Sequence, residues 1–254
     1  MKRIKQRIYA GSTCDQIVYT ASDRSDTKTA QPRLRFKTEE EREQHKHNIG
    51  LRNFIRLVNE NFTPTGFYAT FTFSSECEQY YFVETKKIRE NFIRKIKRAF
   101  PDAKIVCVMG RGKNTKRIHM HMIFENADPA EIAAIWTYGI VDCSHLRKNN
   151  KDPDTGKDIG TDYTALATYL YEHWTPEQGG HAYTRTKNLR KPEKEEPTEA
   201  ARNYTAEHPP LPPKGYEYVK CTANTTYGFQ CFHYVKIRKA ESGTLRRREM
   251  RFIS

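Results

Sequence analysis

The run Arg117-Ile118-His119-Met120-His121-Met122-Ile123-Phe124 constrains the fold more than any other segment of the chain. Side chains on a β-strand alternate between its two faces, so His119 and His121 point one way while Ile118, Met120, Met122 and Phe124 point the other. Such a strand has an apolar face for a core and an imidazole face that needs a partner. Two histidines at i and i+2 form a clamp, and a divalent ion is the expected occupant.

At 254 residues the chain can form one large domain, or a domain with an appendage, around its own core. Lys and Arg total 44 against 31 Asp and Glu, a formal charge of +13, which points to a polyanionic partner, nucleic acid first. Cys14, Cys77, Cys107, Cys143, Cys221 and Cys231 show no C-x-x-C spacing and several lie in apolar runs. They read as reduced and structural, as in a cytoplasmic protein. No apolar stretch approaches the roughly 18 residues of a membrane helix, and Met1-Lys2-Arg3-Ile4-Lys5 lacks the apolar core of a signal peptide. A cytoplasmic location without a membrane partner is expected.

Up to about Phe36 only Arg7 to Ala10 and Gln16 to Thr20 carry weak strand signals. Thr38 followed by Glu39, Glu40 and Glu41 predicts a helix start, with Leu51, Phe54, Ile55, Val58 and Phe62 at helical spacing. Pro64 and Gly66 then open a new unit. Phe67 to Phe73 reads as a strand, Glu78 to Phe100 as a helix, Ala103 to Met109 as a strand paired with the histidine strand. Asp128-Pro129-Ala130-Glu131 starts a short helix, and Gly139 to Cys143 is a fourth strand. The order β-α-β-β-α-β predicts an α+β, ferredoxin-like (RRM-like) antiparallel sheet with the histidine strand central. Its two helices cover one face and leave the histidines on the other.

A further helix from about Asp162 to His173 is expected over that open face. Tyr163, Leu166, Ala167, Leu170 and Trp174 form its apolar stripe, and Tyr169 and His173, four apart, share a flank. The domain parse is an N-terminal extension with a helix over 1–62, a core over 63–190, a linker over 191–215 rich in Pro and Glu, and a C-terminal hairpin with a basic tail over 216–254.

Phe67-Tyr68-Ala69-Thr70-Phe71-Thr72-Phe73-Ser74, the His119-Met120-His121 strand and Tyr169 within Ala167-Thr168-Tyr169-Leu170-Tyr171 resemble, in order, the three motifs of HUH rolling-circle replication initiators. The similarity is strongest to the replication-associated proteins of phages, plasmids and integrative elements of Gram-positive bacteria, and spans roughly Phe67 to Pro192. The resemblance implies a metal-dependent endonuclease whose tyrosine attacks one DNA strand, leaving a 5′-phosphotyrosine link and a free 3′-hydroxyl. Tyr169 would be the catalytic residue, and His119 and His121 metal ligands for Mn²⁺ or Mg²⁺. The partners would be single-stranded or hairpin origin DNA, with a host helicase and polymerase.

Two positions depart from the family pattern. Glu172 stands where many relatives carry a lysine, and Met109-Gly110-Arg111 where many carry a carboxylate. His173 is assigned as the third ligand, from the position of a metal-contacting side chain in related transposases and from helical spacing; Glu76, Glu125 and His145 are weaker candidates. Tyr171 is two residues from Tyr169 and points elsewhere, which favours a single-tyrosine enzyme.

Arg111, Lys113, Lys116 and Arg117, then Arg185, Lys187, Arg190 and Lys191, cluster where a DNA strand would pass. Trp174 and Tyr183 add stacking surfaces. His45-Lys46-His47 reads as a solvated helix face, and Gly110 to Thr115 fails the phosphate-loop spacing. Asp152, Asp154 and Asp158 only loosely mimic a calcium loop, because Tyr163 occupies the closing glutamate position. The expected function is initiation of rolling-circle replication. Alternatives are a relaxase or transposase with the same chemistry, or a non-catalytic RRM-like nucleic-acid-binding protein.

Overall fold

The computed structural model describes residues 2–21, 38–74, 82–112, 117–174, 182–224 and 228–237. First come β1 (Lys2–Ala10) and β2 (Thr13–Ala21), paired from Lys2↔Ala21 to Ala10↔Thr13 and turned at Gly11, whose φ of 60° suits a residue without a Cβ. Both are longer than their sequence signals. Helix α1 (Glu39–Asn61) is capped by Thr38, whose hydroxyl accepts from the Glu41 N–H, and its first turn carries the three glutamates that a helix N-terminus favours.

Next follow β3 (Phe67–Phe73), α2 (Phe82–Ala99), β4 (Lys104–Arg111), β5 (Ile118–Glu125), α3 (Pro129–Ile135) and β6 (Gly139–His145). The stretch Glu78 to Tyr81, expected to open α2, lies outside the described residues. Asp128 caps α3 by accepting from the Ala130 and Glu131 N–H groups. Short β7 (Asn150–Lys151) and β8 (Asp158–Gly160) precede α4 (Thr164–Glu172). After it come β9 (Thr184–Arg185), β10 (Glu193–Lys194), β11 (Thr198–Glu199), β12 (Tyr216–Asn224) and β13 (Phe229–Lys236). The architecture is α+β, and no described helix is long and apolar enough to cross a membrane. Cys14, Cys107, Cys143, Cys221 and Cys231 are free thiols, and burial pushes Cys107 up to about 12; Cys77 lies outside the described residues.

Among the described residues β6-β3-β5-β4-β9 form one antiparallel sheet with β5 in the middle. Its first face presents Phe67, Phe71, Met120, Met122 and Phe124 to Phe92 and Ile96 of α2 and to Ile132 of α3 and Trp136 at its C-terminal end. Burial of each such Phe or Met contributes roughly 1.5–3 kcal/mol. Val106, Val108 and Ile123 on the second face pack against Phe54, Leu57 and Val58 of α1 and Ala167, Leu170 and Tyr171 of α4. Helix α1 thus shares with α4 the face expected to carry the tyrosine helix alone.

A second sheet joins the two ends of the chain in the order β10-β1-β2-β13-β12, with β11 also on β1. The segment over 191–215 is extended, yet two pieces of it pair with β1, and Tyr204 is buried against Phe232 and Tyr234. The Tyr234 hydroxyl donates to the Pro210 carbonyl at 2.9 Å. This stretch is therefore a cover laid across the outer face of the second sheet.

The inner face of that sheet is fastened to α1 and α4 by charge. Asp15 lies 2.7 Å from the Arg56 guanidinium and 2.8 Å from His233 Nδ1, while His233 Nε2 lies 2.7 Å from Asp162. Asp162 in turn accepts from the Thr164 N–H and from Asn59 Nδ2 at the start of α4. Burial alone would keep His233 neutral, but its hydrogen bonds to Asp15 and Asp162 and their charges carry it up to about 10. Both carboxyls are held below their usual range, because these cations outweigh the burial that would raise them.

A raised imidazole pKa stabilises the fold fully below the unfolded value near 6.5 and is lost as pH rises through about 10. His233→Asn should therefore cost roughly 3–5 kcal/mol at pH 6, the penalty for breaking a buried ionic network. The gap to the wild type, measured by urea unfolding, should narrow by pH 10. An equal gap at both values would show that His233 is not held as an imidazolium.

Candidate active site

Registers of β3, β5 and β6 place His119 beside Thr72 and Ile140, and His121 beside Thr70 and Asp142. These residues share the second face of the sheet. His119 is half-buried and His121 is 5% exposed, with ring centroids 6.2 Å apart. Burial first, and then the neighbouring imidazoles of His173 and His119, push His121 down to about 4; burial, His173 and Arg117 also lower His119. Both shifts favour the neutral ring, which has a lone pair to offer.

The nitrogen that each ring turns inward is engaged. His119 Nδ1 meets Thr72 Oγ1 at 3.0 Å, and His121 Nδ1 meets the Tyr68 hydroxyl at 2.7 Å and Thr70 Oγ1 at 3.3 Å. Tyr68 stacks on His121 with an interplanar angle of 12°. These anchors were missed in the sequence, although Tyr68, Thr70 and Thr72 alternate with buried Phe67, Ala69, Phe71 and Phe73 in the same way that the histidines alternate with methionines. Their role depends on β3 lying next to β5.

Helix α4 brings Tyr169 and His173 over this face. Tyr169 is 48% exposed, and its ring centroid lies 4.1 Å from that of His173 and 6.0 Å from that of His121. His173 is 4.8 Å from His121. His173 Nδ1 lies 2.7 Å from the Tyr169 carbonyl oxygen; a carbonyl only accepts, so this nitrogen is the donor. No described residue hydrogen-bonds Nε2 of any of the three rings. An imidazole anchored through one nitrogen and bare at the other is the form in which histidine binds metals.

The donor chemistry fits a divalent ion, but the placement does not close round one: among the described residues no three His, Cys, Asp or Glu side chains form a group that would hold a metal.

Gly110 explains how α4 comes so close. It stands opposite His119 on β4 and forms a backbone bridge to Trp174. A Cβ there would lie 2.4 Å from the His173 carbonyl oxygen. At this position a bare backbone admits the end of α4 and His173 with it.

Other expected site residues are placed less centrally. Glu125 accepts from the Thr63 N–H and from the Thr63 and Thr65 hydroxyls at the far end of β5. His145 pairs with Phe67 and faces the opposite side of the sheet. Neither reaches the cluster, and Glu76 lies outside the described residues. Tyr171 is buried with its hydroxyl against Gly50 and its ring against Phe54 and His47, so His47 is a packing residue rather than a solvated one.

Arg111 is exposed at the end of β4, and Arg117 is half-buried at the start of β5. Lys113 and Lys116 lie outside the described residues, as does the basic tail. Trp174 and Tyr183 pack partly against the second core, Tyr183 with its ring 4.7 Å from Phe54. Arg185, Lys187, Arg190 and Lys191 are exposed, and Arg190 pairs with Glu60. In the loop that mimics a calcium site, the Lys220 ammonium sits 2.7 Å from Asp152 and 2.6 Å from Asp154, taking the cation's place.

Comparison of the chain with protein-family models, curated proteins and solved structures gives no match.

Gly110→Ala should cost about 1–3 kcal/mol, the range for forcing an added methyl into a packed contact, because the atom it meets is backbone. Urea unfolding measures the loss, and amide exchange over residues 170–174 should speed up. Unchanged stability and exchange would mean that α4 does not rest on this glycine.

Proposed function

We propose that the chain is a metal-dependent, single-tyrosine DNA endonuclease of the HUH type, acting on one strand at the origin of a mobile element. One observation carries the reading: an exposed tyrosine stands beside three clustered, Nδ1-anchored imidazoles on one sheet face. The strand order β6-β3-β5-β4, with α2 and α3 on the opposite face, supports a ferredoxin-like core.

Tyr169 would attack phosphorus through its phenol oxygen. A bond from that oxygen to phosphorus forms as the bond to the 3′ oxygen breaks, and the phenol proton ends on the departing 3′-hydroxyl. A free tyrosine has a pKa near 10 and is a weak nucleophile at pH 7. His119, His121 and His173 would hold Mn²⁺ or Mg²⁺, which when bound offsets charge developing on the phosphate. Arg111, Arg117, Arg185 and Lys187 would meet the flanking phosphates. The rings anchored by Tyr68, Thr70 and Thr72 need little reorganisation to receive an ion, whereas an unanchored pair would lose rotamer freedom.

A non-catalytic RRM-like nucleic-acid-binding protein is the second reading. The exposed cations Arg111, Arg185, Lys187 and Lys191 favour it, because they would hold a nucleic acid whether or not a bond is cut.

Tyr169→Phe separates the two. It keeps the ring, and should lower nicking and covalent adduct formation at least about 10³-fold, with single-strand affinity changed less than about twofold. Adducts are read on denaturing gels after incubation with a single-stranded DNA library and Mn²⁺, with Tyr171→Phe as the control that still reacts. An adduct that survives in the Tyr169 variant removes the assigned nucleophile, and none from the wild type with any divalent metal supports the binding protein. His119→Ala and His173→Ala should each weaken Mn²⁺ binding roughly 10-fold or more by calorimetry; wild-type affinity in either would remove that ligand.

A further inference from the structure

We propose that the cleft between the second sheet and the catalytic layer is a nucleotide subsite for the DNA strand, flanking the bond that Tyr169 would cut. It rests on the endonuclease reading and extends it to a surface outside the histidine cluster.

The cleft has a volume of about 750 Å³, within the range of small-ligand sites. It exists only in the folded chain, because the β1–β2 turn, the last turn of α1, the stretch 190–193 and the end of β13 meet there. Tyr9 and Tyr216 form an aromatic wall, edge to face with centroids 5.9 Å apart. The charges are unevenly spent. Glu60 accepts from the Gly11 N–H at 3.0 Å and pairs with Arg190 at 3.4 Å, whereas Lys191 and Lys236 have no ion-pair partner among the described residues. Lys236 Nζ stands 5.9 Å from the centre of the Tyr216 ring. Glu193, the other carboxylate of the lining, is exposed to solvent.

An aromatic wall beside two ammonium groups that lack a carboxylate partner among the described residues matches a planar base joined to a phosphate. Stacking on an aromatic ring together with cationic contact to the backbone is how single strands are held without sequence readout. The location fits a flanking nucleotide. Thr161 lines the cleft three residues before α4 starts, and Tyr169 lies five residues into that helix, about 8 Å along its axis. Arg190 and Lys191 continue the basic stretch that leaves β9 on the edge of the catalytic sheet. A strand running from Tyr169 along α4 towards its start would approach this cleft.

Fluorescein-labelled (dT)20 and the full chain test the proposal by anisotropy over a range of salt concentrations. Lys191→Ala/Lys236→Ala should flatten the plot of log affinity against log salt by about 1.4, the effect of two lost phosphate contacts on a single strand. Tyr216→Leu should weaken binding about 5- to 150-fold with the slope unchanged, and Tyr216→Phe should restore it. Ultraviolet crosslinking of the wild type should map a thymine adduct to Tyr216. If Tyr216→Leu does not fold, the exposed double-lysine variant decides alone. Wild-type binding and slope in the folded variants would overturn the subsite and leave the Tyr169 reading standing. A wild type that does not bind (dT)20 would overturn the subsite and the nucleic-acid reading together.

Discussion

In β5 the pleat that sends Met120, Met122 and Phe124 against α2 and α3 sends His119 and His121 to the opposite face. The two outcomes cannot be separated, because a shift of one residue would bury imidazoles in an aromatic core and expose methionines. Met120 and Met122 are fully buried, so the register of β5 is held by core packing on the side away from the histidines. The same logic runs through β3, where Phe67, Phe71 and Phe73 fill the core while Tyr68, Thr70 and Thr72 face the histidines.

The tyrosine helix depends on a different kind of constraint. Its stripe of Ala167, Leu170 and Tyr171 packs on Val106, Val108 and α1, but its end can settle beside His121 only because position 110 has no side chain. Small volume at one residue therefore sets where His173 stands. The hydrogen bond from His173 Nδ1 to the Tyr169 carbonyl then ties the two residues within one turn.

At its other end α4 is tied to the second sheet. Asp162 faces Asn59 from α1, Thr164 from its own helix and His233 from β13, while Asp15 and Arg56 complete the network. Buried charges carry a desolvation penalty that only close, well-paired partners offset. Here four charged groups from β2, α1, β13 and the start of α4 pair together. Strands β2 and β13 are thus coupled to the helix that carries Tyr169, although among the described residues neither strand contributes a side chain to the histidine cluster.

The sequence by itself determined whatever depends on local period and local chemistry. Alternation in Ile118 to Phe124 showed which face the histidines take, the Thr38 and Asp128 caps marked two helix starts, and four-residue spacing placed His173 beside Tyr169. Only the tertiary structure decided what comes from residues far apart in the chain. Sequence reading could not tell that Gly110 lies under His173, because the contact joins a strand and a helix end 63 residues apart. It could not exclude Glu125 and His145 as ligands, since that follows from strand pairing and from which hydroxyls Glu125 meets. The pairing of β2 with β13 and the role of 191–215 as a cover were equally hidden. Strand neighbours, unlike helix neighbours, are chosen by the whole chain, and a buried ion network is written in no single segment.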